Sequence, residues 1–202
     1  FYVKAVQVWY SFRPLLTSSG PLFSTIMDII YVKSPHEIDE VRRLFREYEA
    51  SLNVDLCFQQ FEFELTNLPG KYAPPSGTLL LAMDGQKAMG CGALRNIDSI
   101  QYRTCEMKRL YVRPEARGVG VGKQIARRLI QEAVRLGYSA MILDTLDRLE
   151  AAIKIYKSLG FVRTEPYYDN PLSGVVYWKL DLKGQHEASA DSQGRGDFDR
   201  TK

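Results

Sequence analysis

The stretch that carries the most chemical information is a run of alternating glycines, Arg117-Gly118-Val119-Gly120-Val121-Gly122-Lys123. Glycine has no Cβ, so the backbone of such a turn can lie close to a ligand. The run leads into an amphipathic segment, and the first turn of a helix offers unpaired N–H groups and the positive end of the helix dipole. These features predict a cradle for a pyrophosphate. A tight strand-to-helix turn without a ligand is the alternative interpretation.

The spacing of the glycines separates this turn from two common nucleotide motifs. It lacks the Gly-Lys-Ser/Thr of a Walker A loop, and it does not follow the Gly-x-Gly-x-x-Gly order of a dinucleotide-binding fold. Together with the preceding strand end, Leu110 to Pro114, it resembles the acyl-CoA motif of the GNAT N-acetyltransferases. A second stretch, residues 151–161, is similar to that family's helix with a tyrosine, here Tyr156, that ends in Gly-Phe. The resemblance covers residues 28–182.

The resemblance implies an acyl-CoA-dependent N-acetyltransferase that moves an acetyl group from acetyl-CoA to a primary amine by direct attack in a ternary complex. It also implies an α/β (mixed α+β) fold: a mixed, mostly antiparallel sheet flanked by helices on both faces. By the same resemblance, the strand end holds the pantetheine arm of CoA, the glycine turn holds its phosphates, and a small helix residue lies against CoA. The matching residues are Leu110, Tyr111, Val112, Arg117, Gly118, Val119, Gly120, Val121, Gly122, Lys123 and Ala152.

Acetyl transfer needs a donor for the developing oxyanion and a proton for the departing thiolate. The backbone N–H of Val112 matches the first role. Tyr156 matches the family's general acid, and a core aromatic packed beside Ile153 and Leu159 is the alternative. Many family members carry Asn seven residues before this tyrosine, and Leu149 stands there instead.

The base has three candidates. Glu106 matches a carboxylate that draws the proton of the amine, with an ordinary ion pair to Lys108 or Arg109 as the alternative. Asp144, at the predicted end of the next strand, is the second candidate, and water is the third. Apolar parity changes between Cys105/Met107 and Leu110/Val112, which predicts a β-bulge near Lys108-Arg109, and bulges often lie beside active sites.

The acceptor is predicted to be the amine of a small molecule. An aromatic pocket is predicted from Phe58, Phe61 and Tyr72 on one side and residues 167–169 on the other, with core packing as the alternative. The competing functions are a protein amine acetyltransferase and a catalytically silent acyl-CoA-binding regulatory module.

Periodicity predicts the elements that position these residues. The predicted strands are Asp28–Val32, Thr78–Met83, Ala88–Leu94, Thr104–Val112, Ala140–Asp144, Phe161–Glu165 and Val175–Leu180, and the predicted helices are Glu37–Ser51, Phe58–Leu68, Val119–Leu136 and Leu149–Leu159. Ser34 is predicted as the N-cap of the first helix, with Pro35 at the first helical position. The buried face of the third helix is predicted to contain Val121, Ile125, Leu129 and Ala133. A strand, a helix and a second strand from 104 to 144 form a βαβ unit.

Composition narrows the class of protein. Residues 27–182 carry almost equal numbers of basic and acidic side chains, although the whole chain has a net charge of +3, and this balance argues against nucleic-acid binding. No apolar run reaches the length of a membrane helix, so no membrane association is expected. With two histidines and three cysteines (Cys57, Cys91 and Cys105) without CxxC spacing, no metal is predicted, and the cysteines are interpreted as buried thiols of a cytoplasmic protein. A monomer and a homodimer both remain open.

The pattern also predicts the limits of the domain. Residues 1–26 lack periodicity and are interpreted as a leader or expression remnant, residues 27–182 as the acetyltransferase domain, and residues 183–202 as a disordered polar tail.

Overall fold

The computed structural model describes residues 27–54, 60–97 and 103–183. These residues form seven strands and four helices. The strands are β1 (Asp28–Tyr31), β2 (Thr78–Asp84), β3 (Lys87–Asn96), β4 (Thr104–Val112), β5 (Ala140–Leu146), β6 (Val162–Thr164) and β7 (Val175–Asp181). The helices are α1 (Pro35–Leu52), α2 (Phe61–Thr66), α3 (Val121–Arg135) and α4 (Glu150–Ser158), with 3-10 turns at Gly70–Tyr72 and Pro114–Ala116.

The first helix begins at a complete capping box. The Ser34 side chain accepts from the Glu37 N–H at 3.2 Å, and the Glu37 carboxylate accepts from the Ser34 N–H at 2.8 Å. Pro35 follows as the first helical residue, where its missing N–H costs nothing. The helix ends at Asn53, which adopts the left-handed conformation. The predicted N-cap at Ser34 and the predicted first helical residue Pro35 are confirmed.

The seven strands form one mixed sheet in the order β1-β2-β3-β4-β5-β7-β6, in which only β4 and β5 are parallel. Helices α3 and α4 cover one face and helices α1 and α2 cover the other, so two apolar clusters lie on opposite sides of the sheet. The α3 cluster contains the predicted helix face of Val121, Ile125, Leu129 and Ala133. The predicted fold class, with its βαβ unit, is confirmed.

The predicted bulge lies in β4. Cys91 of β3 pairs with Tyr111 and Ala93 pairs with Lys108, so β4 has one more residue than β3 across this interval. Arg109 takes the left-handed conformation there, with φ +56°. The extra residue turns Leu110 and Val112 to the same face as Cys105 and Met107, as the change of parity requires. The opposing Gly92 has no space for a Cβ, which would lie 2.7 Å from Ile125 of α3.

Several predicted boundaries need correction. Helix α3 begins at Val121 instead of Val119, and helix α2 begins at Phe61 instead of Phe58, after Gln60 as its N-cap; most other ends differ by one or two residues. Helix α2 ends at Thr66 instead of Leu68, because Leu68 precedes Pro69 and the residue before a proline avoids helical geometry. Strand β5 continues to Leu146, because its last residues pair with Val175 and Val176 of β7. Asp144 is therefore inside a strand rather than at its end.

Some predictions lie outside the described residues. These are the leader (1–26), the tail beyond Lys183, Cys57 and Phe58. Cys91 and Cys105 are buried free thiols, as predicted, and burial raises the pKa of each. Within the described ranges, none of the helices combines the length and the apolarity that crossing a bilayer would take.

Candidate functional site

The candidate site is a gap in the middle of the sheet. Strands β4 and β5 pair only from Thr104–Ala140 to Glu106–Ile142, and beyond that point they part. The gap is lined by Met107 to Leu110 on the β4 side and by Asp144 to Leu146 on the β5 side. Its other lining residues come from both sheet faces, for example Tyr48 of α1 and Tyr156 of α4. The gap therefore connects the two faces, which suits a reaction between two ligands that enter from opposite sides.

The backbone of Val112 points toward this gap. Arg113 N–H donates to the Met89 carbonyl at 2.9 Å, so Gly90 and Val112 form a non-hydrogen-bonded pair of the antiparallel ladder. The N–H of Val112 is consequently directed away from β3, toward the edge where β5 has parted. The carbonyl of Val112 is held by Arg117 Nε at 2.9 Å. A fixed N–H at this position can donate to a ligand in the gap.

The glycine turn leads from the end of β4 to the start of α3. Gly118 and Gly120 have φ of +83° and +88°, a conformation that favours glycine. A Cβ at Gly118 would meet nothing within 4 Å, so the space in front of the turn is open. Gly120 caps α3 without a side-chain hydrogen bond, which leaves the N–H groups of the first turn uncapped. The turn therefore fits the phosphates of an acyl-CoA.

The side chains around this turn agree with that assignment. Arg117, Val119 and Gly118 are exposed, and Lys123 is half-exposed on the first turn of α3. Val121 is instead buried against the sheet, so only its backbone is available to a ligand. Ala152 is half-buried on α4, and Leu149 is the N-cap residue of that helix, where it packs in the α1-side cluster. Leu149 cannot supply the polar contact that an Asn would offer at this position.

Tyr156 lies in the wall of the gap. Its ring is buried and packs on Phe161 with ring centroids 5.8 Å apart. Ile153 and Leu159, expected to be buried, are only half-buried. Burial raises the pKa of Tyr156, and Asp144 and Tyr48 raise it further, so the phenol stays protonated at neutral pH. No hydrogen bond engages its hydroxyl within the described part of the chain. Tyr156 therefore packs in the core, as one interpretation expects, and also lines the gap, as its role as general acid requires.

Glu106 is fully buried and is not part of the gap lining. Its carboxylate accepts from Arg95 Nε at 2.6 Å and from the Tyr167 hydroxyl at 2.8 Å. Lys108 Nζ is a further 3.7 Å away. Glu106 therefore forms the ion pair with Lys108 that one alternative expected, and it forms a closer one with Arg95, whereas Arg109 pairs with Glu64.

Asp144 does line the gap, opposite β4. Its Oδ1 is 3.3 Å from Lys108 Nζ, and its Oδ2 accepts from the Tyr168 hydroxyl at 2.9 Å. Burial acts to raise the pKa of Asp144, but the Lys108 ammonium and the Tyr168 hydrogen bond outweigh it, and the pKa lies below its usual value. Asp144 is therefore an anion that faces the gap.

The predicted aromatic pocket is divided between different environments. Phe61 and Tyr72 are core residues: Phe61 packs under Arg109, and Tyr72 donates to Glu64 at 2.8 Å. Tyr167 and Tyr168 instead reach two different carboxylates, those of Glu106 and Asp144. Asp169 is exposed.

Sequence reasoning missed Arg95 and Asn170, and it did not connect Lys108 with Asp144. Lys108 lies between Glu106 and Asp144, and Asn170 donates to the Tyr168 hydroxyl at 2.6 Å. The alternation of side chains along β4 places Glu106 and Lys108 on one face, and this could be read from the sequence. The register between β4 and β5, which brings Lys108 to Asp144, could not. Across residues 27–54, 60–97 and 103–183, no group of three or more His, Cys, Asp or Glu side chains could hold a metal ion.

The site combines an anion cradle with a gap that contains a neutral phenol and a carboxylate. This combination fits a group-transfer enzyme with a phosphate-bearing co-substrate. The model of the acetyltransferase (GNAT) family matches residues 38–161. An uncharacterised N-acetyltransferase of Schizosaccharomyces pombe is 45% identical over 157 residues, 77% of this chain and 95% of the relative. The chain belongs to the GNAT acetyltransferase family, and it is an N-acetyltransferase.

Solved structures share the fold. An acetyltransferase of Streptococcus agalactiae superposes with a TM-score of 0.64 at 20% identity, covering 79% of this chain and 100% of the other. A putative acetyltransferase of Salmonella typhimurium, solved with its cofactor acetyl-CoA, has a TM-score of 0.55 at 22% identity. The match covers 78% of this chain and 94% of the Salmonella chain. These likenesses support the assignment of the fold.

Proposed function

We propose that this N-acetyltransferase transfers the acetyl group of acetyl-CoA directly to the primary amine of a small molecule in a ternary complex. The observation that carries the proposal is the gap between β4 and β5, which opens to both faces of the sheet and has Tyr156 and Asp144 in its lining. Such a passage lets the two substrates meet without a covalent enzyme intermediate. The acetyl-CoA bound to the Salmonella neighbour supports the choice of donor.

On the donor side, the residues of the glycine turn and the end of β4 hold the co-substrate. When bound, acetyl-CoA supplies the thioester whose acetyl group is transferred. The N–H groups at the start of α3 receive the phosphates, with Arg117 and Lys123 adding charge. The N–H of Val112 stabilises the negative charge that develops on the thioester oxygen, a contribution of about 2.7–4 kcal/mol for one such donor in other enzymes.

On the acceptor side, Asp144 binds the ammonium form of the amine, and the amine gives its proton to water before it attacks the thioester. Because the pKa of Asp144 is low, the carboxylate stays ionised and holds the cation, but it is too weak a base to take the proton itself. Glu106 helps to position Asp144, because Lys108 lies between the two carboxylates and interacts with both. Tyr156 donates a hydrogen bond to the departing sulfur, whose thiol pKa of about 8.5 makes full proton transfer optional.

A screen of primary amines with thiol detection of released CoA tests the proposal. We expect turnover with at least one small amine and weaker turnover with lysine-containing peptides. Calorimetry with acetyl-CoA, performed on the same preparation, shows whether the donor site is functional. Binding of acetyl-CoA with no CoA release from any acceptor would identify a silent acyl-CoA-binding module and reject the proposal.

A further inference from the structure

The acceptor side of the gap has apolar walls. Leu52 and Val54 approach from the end of α1, and Leu172 and Val175 approach from the segment before and at the start of β7. All four pack in the α1-side cluster, on the face away from α3 and α4. A substrate that enters from this face therefore meets hydrocarbon before it reaches the polar groups.

The free space inside the gap is small, about 50 Å³. A single water needs roughly 10–15 Å³ by this measure, so the space holds a few non-hydrogen atoms. Only the amino group and the first carbons of an acceptor can enter, and the rest of the molecule must lie against the apolar walls. Substituents on the carbon that bears the amine are thus placed among the charged groups of the gap.

The two cations of the gap are already paired. Arg109 donates to both carboxylate oxygens of Glu64, at 2.9 and 2.7 Å, and it is buried against the Phe61 ring. Lys108 lies between Asp144 and Glu106, at 3.3 and 3.7 Å. The internal segments without described structure, 55–59 and 98–102, contain no Lys or Arg in their sequences.

The anion of the gap is held in place by a hydrogen-bonded chain. Asn170 accepts from the Leu172 N–H at 3.1 Å and donates to the Tyr168 hydroxyl, which donates to Asp144 Oδ2. Other charged or hydroxyl groups interact electrostatically with Asp144 or share the gap lining with it. They are Tyr48, Lys108, Arg109, Thr145, Tyr156, Tyr167 and Tyr177. The carboxylate is therefore fixed, ionised and directed along the gap.

From these contacts we infer that the acceptor is a primary amine on a hydrocarbon body with no carboxylate on the amine-bearing carbon, and that Asp144 receives its ammonium group. The inference deepens the proposed function and rests on it. A carboxylate on that carbon would be buried beside Asp144, and Lys108 could serve it only by leaving two carboxylates. Burying an uncompensated charge in this way is strongly unfavourable. An alkyl or arylalkyl amine meets neither obstacle.

Matched pairs of substrates test the inference, each an amine and the amino acid that carries one additional carboxylate. The pairs are 2-phenylethylamine with phenylalanine and 3-methylbutylamine with leucine. We expect kcat/KM for the amine to exceed that for the amino acid by about a hundredfold, within the range by which sites reject an unpaired charged or polar group. Equal values, or a preference for the amino acids, would overturn the inference and leave the proposed function intact.

Variants test the role of Asp144 separately. Asp144→Asn should raise KM for 2-phenylethylamine about tenfold and leave KM for acetyl-CoA unchanged. Tyr168→Phe should act in the same direction but more weakly. The matched control is Asp84→Asn, which removes an exposed carboxylate at the end of β2 and should leave both constants unchanged. An Asp144→Asn enzyme with the wild-type KM for the amine would exclude Asp144 as the ammonium site.

Binding without turnover keeps the inference testable if no acceptor is acetylated. Calorimetry of 2-phenylethylamine and of phenylalanine with the complex of enzyme and CoA should show binding of the amine only. Binding of phenylalanine, or of neither compound, would overturn the inference. Failure of the proposed function has a different signature, since the enzyme would then bind acetyl-CoA but release no CoA with amines, amino acids or a lysine peptide.

Discussion

At the scale of single residues, the site depends on groups whose protonation is controlled by their surroundings. Burial raises the pKa of the Tyr156 phenol, which keeps a donor in the gap at neutral pH. The opposite balance holds at Asp144, where Lys108 and Tyr168 outweigh burial and keep the carboxylate charged. Acid and anion are thus separated in pKa although both line the same gap.

The first prediction concerns Tyr156. Tyr156→Phe should lower kcat by about 10²-fold, in the usual range for acid–base assistance, and should change acetyl-CoA affinity little because the ring still packs on Phe161. The loss should shrink as the pH rises toward the thiol pKa of about 8.5, where the leaving group needs less help. Steady-state kinetics between pH 6 and about 9 measure this. Wild-type turnover in the variant would reduce Tyr156 to a packing residue.

A second prediction separates Glu106 from the chemistry. Glu106→Gln should lower the free energy of unfolding by about 1–3 kcal/mol, because Arg95 loses its charged partner, and should reduce kcat only a few-fold. Denaturant unfolding and kinetics on the same variant measure both effects. A base at Glu106 would give the reverse: a large kcat defect with little loss of stability, and a defect that shrinks for less basic amines.

At the scale of elements, the β4 bulge and the start of α3 shape the site. Because of the bulge at Arg109, the apolar side chains of β4 before and after it all point to the α3 face. Arg109 itself is turned toward Glu64 of α2. The glycine turn then carries the chain into α3 with its N–H groups uncapped. The bulge and the glycine turn are each local features. Together they align the end of β4, the gap and the anion cradle.

The third prediction tests the contact between α2 and the bulge. Glu64→Gln leaves the buried Arg109 without its counter-charge and should cost about 3–5 kcal/mol of stability. The control is Glu62→Gln in the same helix, whose pair with Arg46 is exposed and should contribute at most about 1 kcal/mol. Chemical denaturation of both variants gives the comparison. Equal losses would show that the buried pair does not anchor the bulge.

The fourth prediction tests the cradle without straining its backbone. Gly120→Val is unsuitable, since Gly120 has φ +88°, whereas Gln124 is exposed and its amide lies 3.9 Å from the Cβ position of Gly120. Gln124→Glu places a negative charge where the phosphates arrive and should weaken acetyl-CoA binding about tenfold at low salt. The melting temperature of the free protein should not fall, because an acid near a helix start is favourable.

The matched control for this variant is Gln131→Glu, an exposed change farther along α3. It has the same charge change but lies two turns from the cradle, so its acetyl-CoA affinity should equal that of the wild type. Calorimetry at two salt concentrations compares them. An unchanged affinity in Gln124→Glu would place the phosphates elsewhere.

At the scale of the whole molecule, one sheet with an apolar core on each face supports the site. The gap where β4 and β5 part is lined by residues of both clusters, so its walls are packed from both sides. Met27, at the start of the described chain, is already buried in the α3-side core, and Leu182 is buried at the other end. The burial of these two residues in the core leads to a prediction for the termini.

Deleting residues 1–26, or residues 184–202, should leave the melting temperature and acetyl-CoA binding unchanged, because neither segment has the periodicity of a packed element. Acetyl-CoA at a hundredfold excess over its dissociation constant should stabilise the full chain and both truncated forms equally, by about 2.7 kcal/mol. Thermal unfolding with and without the ligand measures this. A clear fall in melting temperature on removing 1–26 would show that the leader packs on the domain.

Local sequence determined much of this protein. The glycine turn, the capping box at Ser34 and the change of parity around Arg109 each depend on neighbours in the chain, so the cradle, α1 and the bulge could be predicted. Only the tertiary structure decided which carboxylate faces the gap. Lys108 and Asp144 are 36 residues apart, and Tyr168 is 24 residues beyond Asp144. Their meeting depends on the register and parting of β4 and β5, which arise from packing across the whole sheet rather than from any local pattern.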